Sequence, residues 1–343
     1  MDPRAEEVLH RIIHHHVLSS SPVGSRTVAK SSREKLSAAT IRNIMADLEE
    51  SGYLSQPHTS AGRLPTEKAY RYYVDTLRGQ PPLPRSEKSL VESSLQEAGK
   101  DREALLGEVS RLLSRLSHQI GMVSAPHLFL SSIKRIEFRG LGDRRILIIF
   151  VDSSGHPQSS VVTSLQTYSQ EELDRMGEEL LRSFLVDSPE ERNRRLVPGE
   201  GHLPDHDRSR ESEAFRFLRL FLNQVSAENP VFVEGTEDVI GQPEFSDVHN
   251  MRALFRTLQK RHQLGEILNR YRVGSGIQVH IGSENPNPDL SSFTLVTSTY
   301  GLGDRPLGTL GILGPIRMRY DRAIAVVDYV SKVFSHLLTE QIH

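Results

Sequence analysis

Cysteine is missing from all 343 residues, and so is tryptophan. Without a thiol there is no disulfide framework, no thiolate metal site, no iron–sulfur cluster and no cysteine nucleophile. Thiol redox is excluded as a switch for the same reason. Long apolar runs are missing too. The longest strongly apolar stretch is Ile146 to Val151, far short of the roughly 20 residues that a spanning helix needs. Asp2, Arg4, Glu6, Glu7 and Arg11 occupy the region where an apolar signal core would sit, so a cytoplasmic location without membrane attachment is expected. Neither sign of charge prevails: 42 Lys and Arg stand against 44 Asp and Glu, a net −2. A basic surface over the whole chain is thereby excluded, but not a basic face on one domain, because fields act locally. Also missing are a Walker loop, a Gly-x-Ser-x-Gly elbow and a His-Glu-x-x-His pair, so no enzyme activity is expected.

What is present begins with helical periodicity. Val8, Leu9, Ile12, Ile13 and Val17 repeat at helix spacing, which predicts a first amphipathic helix. Pro22-Val23-Gly24 breaks it, and a short helix is expected from Ser25 to about Ala29. A further helix starts after Ser37, a suitable N-cap because its hydroxyl can accept a bond from a first-turn amide. Its apolar face is Ile41, Ile44, Met45 and Leu48, and Gly52 closes it. Tyr53 to Gln56 and Arg63-Leu64, around a polar tip at residues 57–62, predict a short hairpin. Pro65-Thr66 opens a tyrosine-rich helix with Tyr70, Tyr72 and Tyr73.

Helix, short helix, helix and hairpin in that order make a winged helix-turn-helix over residues 1–78. Its second helix would enter the major groove and present N-terminal residues to base edges. Those residues are Ser37, Ala38, Ala39, Thr40, Arg42 and Asn43. Arg42 can donate two bonds to guanine O6 and N7, Asn43 can pair with adenine N6 and N7, and Ala39 and Thr40 offer methyl groups to thymine. The tip residues His58, Thr59, Ser60, Gly62 and Arg63 suit a wing, with hydroxyls and one cation for phosphate. Ser25, Arg26 and Thr27 are placed to hold a further phosphate. Residues 1–79 carry eleven Lys and Arg against nine Asp and Glu, a net +2, while the rest carries 31 against 35, a net −4. So small a basic excess implies that double-stranded DNA is held by base contacts and dimerisation as well as by phosphates.

The histidines invite another chemistry. His10 and His14 are spaced i, i+4 and could share a zinc ion, but no carboxylate or cysteine completes a shell at the right spacing. The alternative is an exposed helix face with His16 partly buried. No metal and no cofactor are expected.

Beyond residue 78 a Pro-rich linker covers 79–85. A long helix or helix pair is expected over ~86–121, with Leu105, Val109, Leu112, Leu113, Leu116 and Ile120 as its stripe and Pro126 as its stop. Three strands follow at ~133–140, 145–152 and 158–164, separated by turn residues that favour an antiparallel meander. Helices are expected at ~170–186 and ~211–226, then a strand at Val231-Phe232-Val233 and two helices over ~247–272. Strands at ~277–281, 293–299 and 307–313 precede a last helix with Ala323, Val326, Val327, Val330, Phe334 and Leu337 on one side. Phe215, Leu218, Phe221, Leu222 and Val225 form a strongly apolar helix face, open to two readings: a dimer surface or intramolecular core. Glu284, Asn285 and Asp289 read as a solvated turn.

Several stretches resemble the HrcA family of heat-inducible transcription repressors. They are Pro22 to Thr27, Ala39 to Asn43, Met45 to Glu49, Gly52-Tyr53-Leu54, Gln56 to Arg63, Pro65-Thr66 and Tyr70 to Asp75. The likeness continues in Val233 to Thr236, Gln242 to Phe245, Ile281 to Asn285, Arg305 to Thr309, Gly311, Gly314-Pro315 and Asp328 to Val330, and is weakest over ~140–225. It implies an α+β, multidomain chain: the N-terminal winged helix-turn-helix, then a GAF-like α/β domain with an inserted α+β dimerisation module. The expected division is 86–129 with 229–343 for the GAF-like domain and 130–228 for the insert. It also implies a homodimer that binds an inverted-repeat operator, CIRCE, upstream of chaperone operons, with activity supported by the GroEL chaperonin and lost on heat stress. An alternative is a winged-helix regulator gated by a small ligand in the GAF-like domain.

Overall fold

The computed structural model describes residues 1–31, 36–58, 61–77, 82–99, 101–125, 133–152, 157–186, 211–228, 231–270, 276–285, 287–302 and 305–340. They divide into two compact units. One combines residues 1–125 with 231–341, and the other spans 126–230.

The first unit opens with α1 (Pro3–Ser19), α2 (Ser25–Ser31) and α3 (Ala38–Glu50). Val8, Leu9, Ile12 and Ile13 of α1 are buried, as are Val28 of α2 and Ile41, Met45 and Leu48 of α3. α3 starts where expected. The Ser37 hydroxyl accepts from the Thr40 amide at 3.0 Å, and Gly52 takes φ +76° just past the helix end. Strands β1 (Leu54–Ser55) and β2 (Leu64–Pro65) then pair antiparallel. α4 (Glu67–Thr76) begins on Thr66, whose hydroxyl also donates to Gly52 O at 2.8 Å. The linker expected at 79–85 lies partly outside the described residues.

α5 (Arg85–Glu97) and α6 (Arg102–Ser117) follow, and here the expected helix stripe was too long. His118 adopts φ +57° and ends α6. Ile120 is not helical: it opens β3 (Ile120–Ser124), whose residues are all buried. A short strand covered on both faces shows no alternation, so it reads like the end of a helical stripe. Gly121 allows the junction, because a Cβ there would fall 2.0 Å from the Ser110 carbonyl oxygen of α6.

The second unit contains the meander β4 (Ile133–Gly142), β5 (Arg145–Asp152) and β6 (Pro157–Thr163), followed by α7 (Gln170–Val186) and α8 (Glu211–Glu228). Alternate residues Ile146, Ile148 and Phe150 of β5 turn to one face and join Phe138, Val162 and Leu173 in a core. Phe215, Leu218 and Phe221 of α8 are buried in that same core, with the Phe150 and Phe221 ring centroids 4.5 Å apart. This corrects the dimer-surface reading for these three residues. Their side chains are consumed within the protomer, since the meander needs an apolar cover on that face. The side chains of Leu222 and Val225 lie outside the described residues.

The chain re-enters the first unit at β7 (Val231–Glu234), followed by α9 (Thr236–Ile240), α10 (Val248–Gln259) and α11 (Arg261–Arg270). β8 (Gln278–Ile281), β9 (Phe293–Leu302), β10 (Arg305–Pro315) and α12 (Tyr320–Glu340) complete it. The strands form a five-stranded sheet in the order β7-β3-β10-β9-β8, every neighbour antiparallel. Ile120, Met122, Leu295 and Leu313 face Leu254, Leu264 and Leu268 of α10 and α11, while α6 and α12 cover the opposite face. Ser124 and Val231 are paired partners at adjacent strand ends. The second unit therefore leaves and returns where a hairpin loop would be, a site at which a long insertion adds little closure entropy.

Candidate nucleic-acid interface

α3 has two sides. Ile41, Met45 and Leu48 face inward, while Ala39, Thr40, Arg42, Asn43, Ala46 and Asp47 are exposed. Ser37 is exposed at the cap and Ala38 half-buried. Among the described residues no carboxylate pairs with Arg42. The outward surface of the first two turns thus offers a guanidinium, a carboxamide, a hydroxyl and two methyl groups within one strip. Acidic residues Glu49 and Glu50 fall at the other end of the helix. Arg26 and Thr27 of α2 are exposed and Ser25 is half-buried.

The wing is tied to the rest of the domain at its root. Val23 and Arg63 exchange both backbone bonds at 2.9 Å. Gly62 is required there, because a Cβ would lie 2.5 Å from both the carbonyl carbon and the oxygen of Val23. Gln56 Nε2 donates to Ala61 O at 3.1 Å across the turn. His58 is exposed, and Thr59 and Ser60 lie outside the described residues. Arg63, expected to meet phosphate, has its Nε 2.7 Å from Glu49 Oε2 with 20% of the side chain exposed, an ion pair that joins the wing's root to α3. Gly62→Ala is expected to lower stability by about 1–3 kcal/mol, the range for overpacking, read as a drop in melting temperature.

Three histidines of α1 each face a hydroxyl group, while His14 is exposed. His10 Nε2 lies 3.0 Å from Thr76 Oγ1, His15 Nε2 lies 2.9 Å from Ser31 Oγ, and His16 Nδ1 lies 2.8 Å from Tyr70 OH. Among the described residues no group of three or more His, Asp or Glu is arranged to hold a metal ion. Burial, with the Arg317 guanidinium nearby, pushes the His16 pKa down to about 4. An unfolded His16 titrates near 6.5. Between these values only the unfolded chain takes the proton, so stability is full above pH 6.5 and falls as pH drops towards 4. The melting temperature is expected to decrease from pH 7 to pH 5, with a shallower slope in His16→Gln.

Sequence reasoning missed the residues that carry the winged helix on the body. Glu284, expected in a solvated turn, receives Arg71 in a two-point pair, Nε to Oε1 and Nη2 to Oε2, both 2.9 Å. Its neighbour Asn285 is 6% exposed, and its amide donates to Gly282 O and Phe293 O at 2.9 and 3.0 Å. Arg317 Nη2 pairs with Glu244 Oε2 at 3.0 Å while its Nη1 donates to Val17 O at 2.5 Å. The motifs containing residues 71, 244 and 284 were visible, but no local signal joins positions 213 apart. Among the described residues no helix is long and apolar enough to cross a membrane.

Comparison with known proteins bears on the whole chain. A family model described as the HrcA protein C-terminal domain matches residues 103–324. The heat-inducible transcription repressor HrcA of Geobacter sulfurreducens is 41% identical over 98% of this chain and 97% of its own length. That of Syntrophobacter fumaroxidans is 36% identical over 99% and 98%. A solved structure described as a hypothetical protein matches with a TM-score of 0.61 at 22% identity, over 99% of each chain. At that identity the likeness concerns the fold alone.

Proposed function

The chain belongs to the HrcA family of heat-inducible transcription repressors and is a negative regulator of heat-shock genes; on that premise we propose that it represses by laying the first two turns of α3 into the major groove of an inverted-repeat operator. The observation that carries this reading is the outward strip of Thr40, Arg42 and Asn43 above a buried apolar face. Arg42 and Asn43 read base edges, Ala39 and Thr40 contact thymine methyl groups, and Ser37 and Ala38 approach the backbone. Ser25, Arg26, Thr27 and the wing residues His58, Thr59 and Ser60 meet phosphates, with Gly62 and Arg63 fixing the wing's root. Repression is steric and needs no chemistry.

A dimer presents two such helices, one per half-site, separated by one helical turn of about 34 Å or a multiple of it. We assign dimerisation to the inserted second unit and read the five-stranded unit as a GAF-like domain. The family resemblance supports CIRCE as the operator and the GroEL chaperonin as a partner. Heat lowers the folded fraction of a marginally stable protein, and unfolded clients that occupy the chaperonin keep it from restoring repressor. The test is an electrophoretic mobility shift on the inverted repeat and on a scrambled duplex, with and without chaperonin. A shift specific for the repeat, with an active fraction raised by chaperonin, is expected. Equal binding to both duplexes refutes operator reading, and an unchanged active fraction refutes chaperonin support.

A further inference from the structure

The reading domain and the five-stranded sheet share one compact unit, and polar contacts of fixed direction join them. Glu67, in the first turn of α4, accepts from the Ser283 amide at 3.0 Å and from the Ser283 hydroxyl at 2.6 Å. One turn later Arg71 grips Glu284 at two points and adds a bond to Val279 O at 2.6 Å. An acid and a base spaced i, i+4 thus dock together on the short turn Gly282–Glu284. Gly282 takes φ +53°, and a Cβ there would lie 2.3 Å from Glu67 Oε1, so the carboxylate rests directly on the glycine. Arg317 in addition ties the end of α1 to Glu244. Planar, two-point pairs of this kind fix orientation as well as contact.

We propose that the clamp formed by Glu67, Arg71, Ser283 and Glu284 is a specificity-determining device that makes the protein read the length of the operator spacer. The inference rests on the dimeric operator reading above. In a dimer the bodies carry the two heads, and a clamped head presents α3 in one orientation relative to its own sheet. With the clamp open, the head keeps the Arg317 bond to Val17 O, the contact of Tyr70 with Tyr320 and the covalent path through residues 77–84, none of which fixes its orientation at two points. That path has three prolines, at 81, 82 and 84, and eight residues of polyproline II would reach about 3.1 Å each, roughly 25 Å in all. Each added base pair moves a half-site by only about 3.4 Å. Releasing the clamp removes the contacts that fix the direction of α4, so the heads can tilt towards half-sites that the intact protein rejects. The residues of the clamp do not include the strip proposed to touch DNA, so binding to one half-site is left as it was.

The experiment uses the full chain on inverted repeats with the natural spacer and with one, two and five base pairs added, beside a duplex holding a single half-site. The variants are Glu284→Gln and, as a milder change should that one fail to fold, Arg71→Lys, which keeps the charge but not the two-point grip. For the unaltered protein, affinity is expected to fall at least about tenfold at two added pairs. In the variants the same step is expected to be threefold or less, with half-site affinity within about twofold of the unaltered protein. Superimposable spacer profiles in protein and variants overturn the proposal, as does an unaltered protein indifferent to spacer length. If the unaltered protein binds one half-site as tightly as the repeat, the dimeric reading itself fails, and that result is separate from the other two.

Discussion

Arg42→Ala is expected to weaken operator binding by about 1–3 kcal/mol, roughly 5- to 150-fold, and to relax discrimination at one symmetric base-pair position. The reasons are local. Arg42 is exposed one turn into α3, while Ile41 and Met45 beside it are buried, so the side chain can be removed without disturbing the core. On the proposed reading its loss leaves guanine O6 and N7 without their two donors. A contact to phosphate would behave differently, because it would weaken all sequences alike and flatten the salt dependence. Titrating Arg42→Ala against operators changed at single positions separates these outcomes, with an unchanged melting temperature as the control. Arg63→Ala makes the contrast. Since Arg63 pairs with Glu49, its removal should loosen the wing and lower thermal stability, with little change in the salt slope.

The second large effect falls on stability. Arg317→Ala is expected to destabilise the first unit by about 2–3 kcal/mol, between the values for exposed and fully buried ion pairs. For a unit of this size that is roughly 5–10 °C in melting temperature. The Arg317 side chain is 13% exposed and that of Glu244 26%. Removing the guanidinium leaves the Glu244 carboxylate without its partner and the Val17 carbonyl, in the last turn of α1, without its donor. The same guanidinium helps to hold the His16 pKa low, so the variant should also show a raised His16 pKa, measurable from the imidazole resonances across a pH series. Arg317→Lys should recover only part of the loss, because an ammonium cannot reach two acceptors in the guanidinium's fixed geometry. In a heat-inducible repressor such a change lowers the temperature at which repression is lost.

The winged helix was legible in the sequence because its signals are local. Ser37 caps α3, Gly52 ends it, Thr66 caps α4, and the period of Ile41, Met45 and Leu48 separates buried from exposed residues. The meander was legible for the same reason, in the alternation of Ile146, Ile148 and Phe150. β3 was not, because full burial erased its alternation and Ile120 continued the spacing of α6. The pairing of Arg63 with Glu49 was also out of reach, since the two lie 14 positions apart and no local pattern joins them. The Phe215 face was recognised as apolar, but its destination depended on the meander packing against it. The head-to-body contacts were the least accessible. Glu67, Arg71, Ser283 and Glu284 meet because the end of β8, paired with β9, carries residues 283 and 284 to α4, and each alone is an ordinary surface residue.

On the proposed reading α3 meets a two-fold repeated operator through its first two turns. Protection of guanine N7 from methylation tests it most directly, because N7 lies in the major groove where Arg42 would donate. With purified full-length protein on the inverted repeat, one guanine in each half-site should be protected, at symmetric positions a whole number of helical turns apart. Both protections should vanish in Arg42→Ala. Guanines equally protected by the protein and by Arg42→Ala, or protected in one half-site only, would contradict the account.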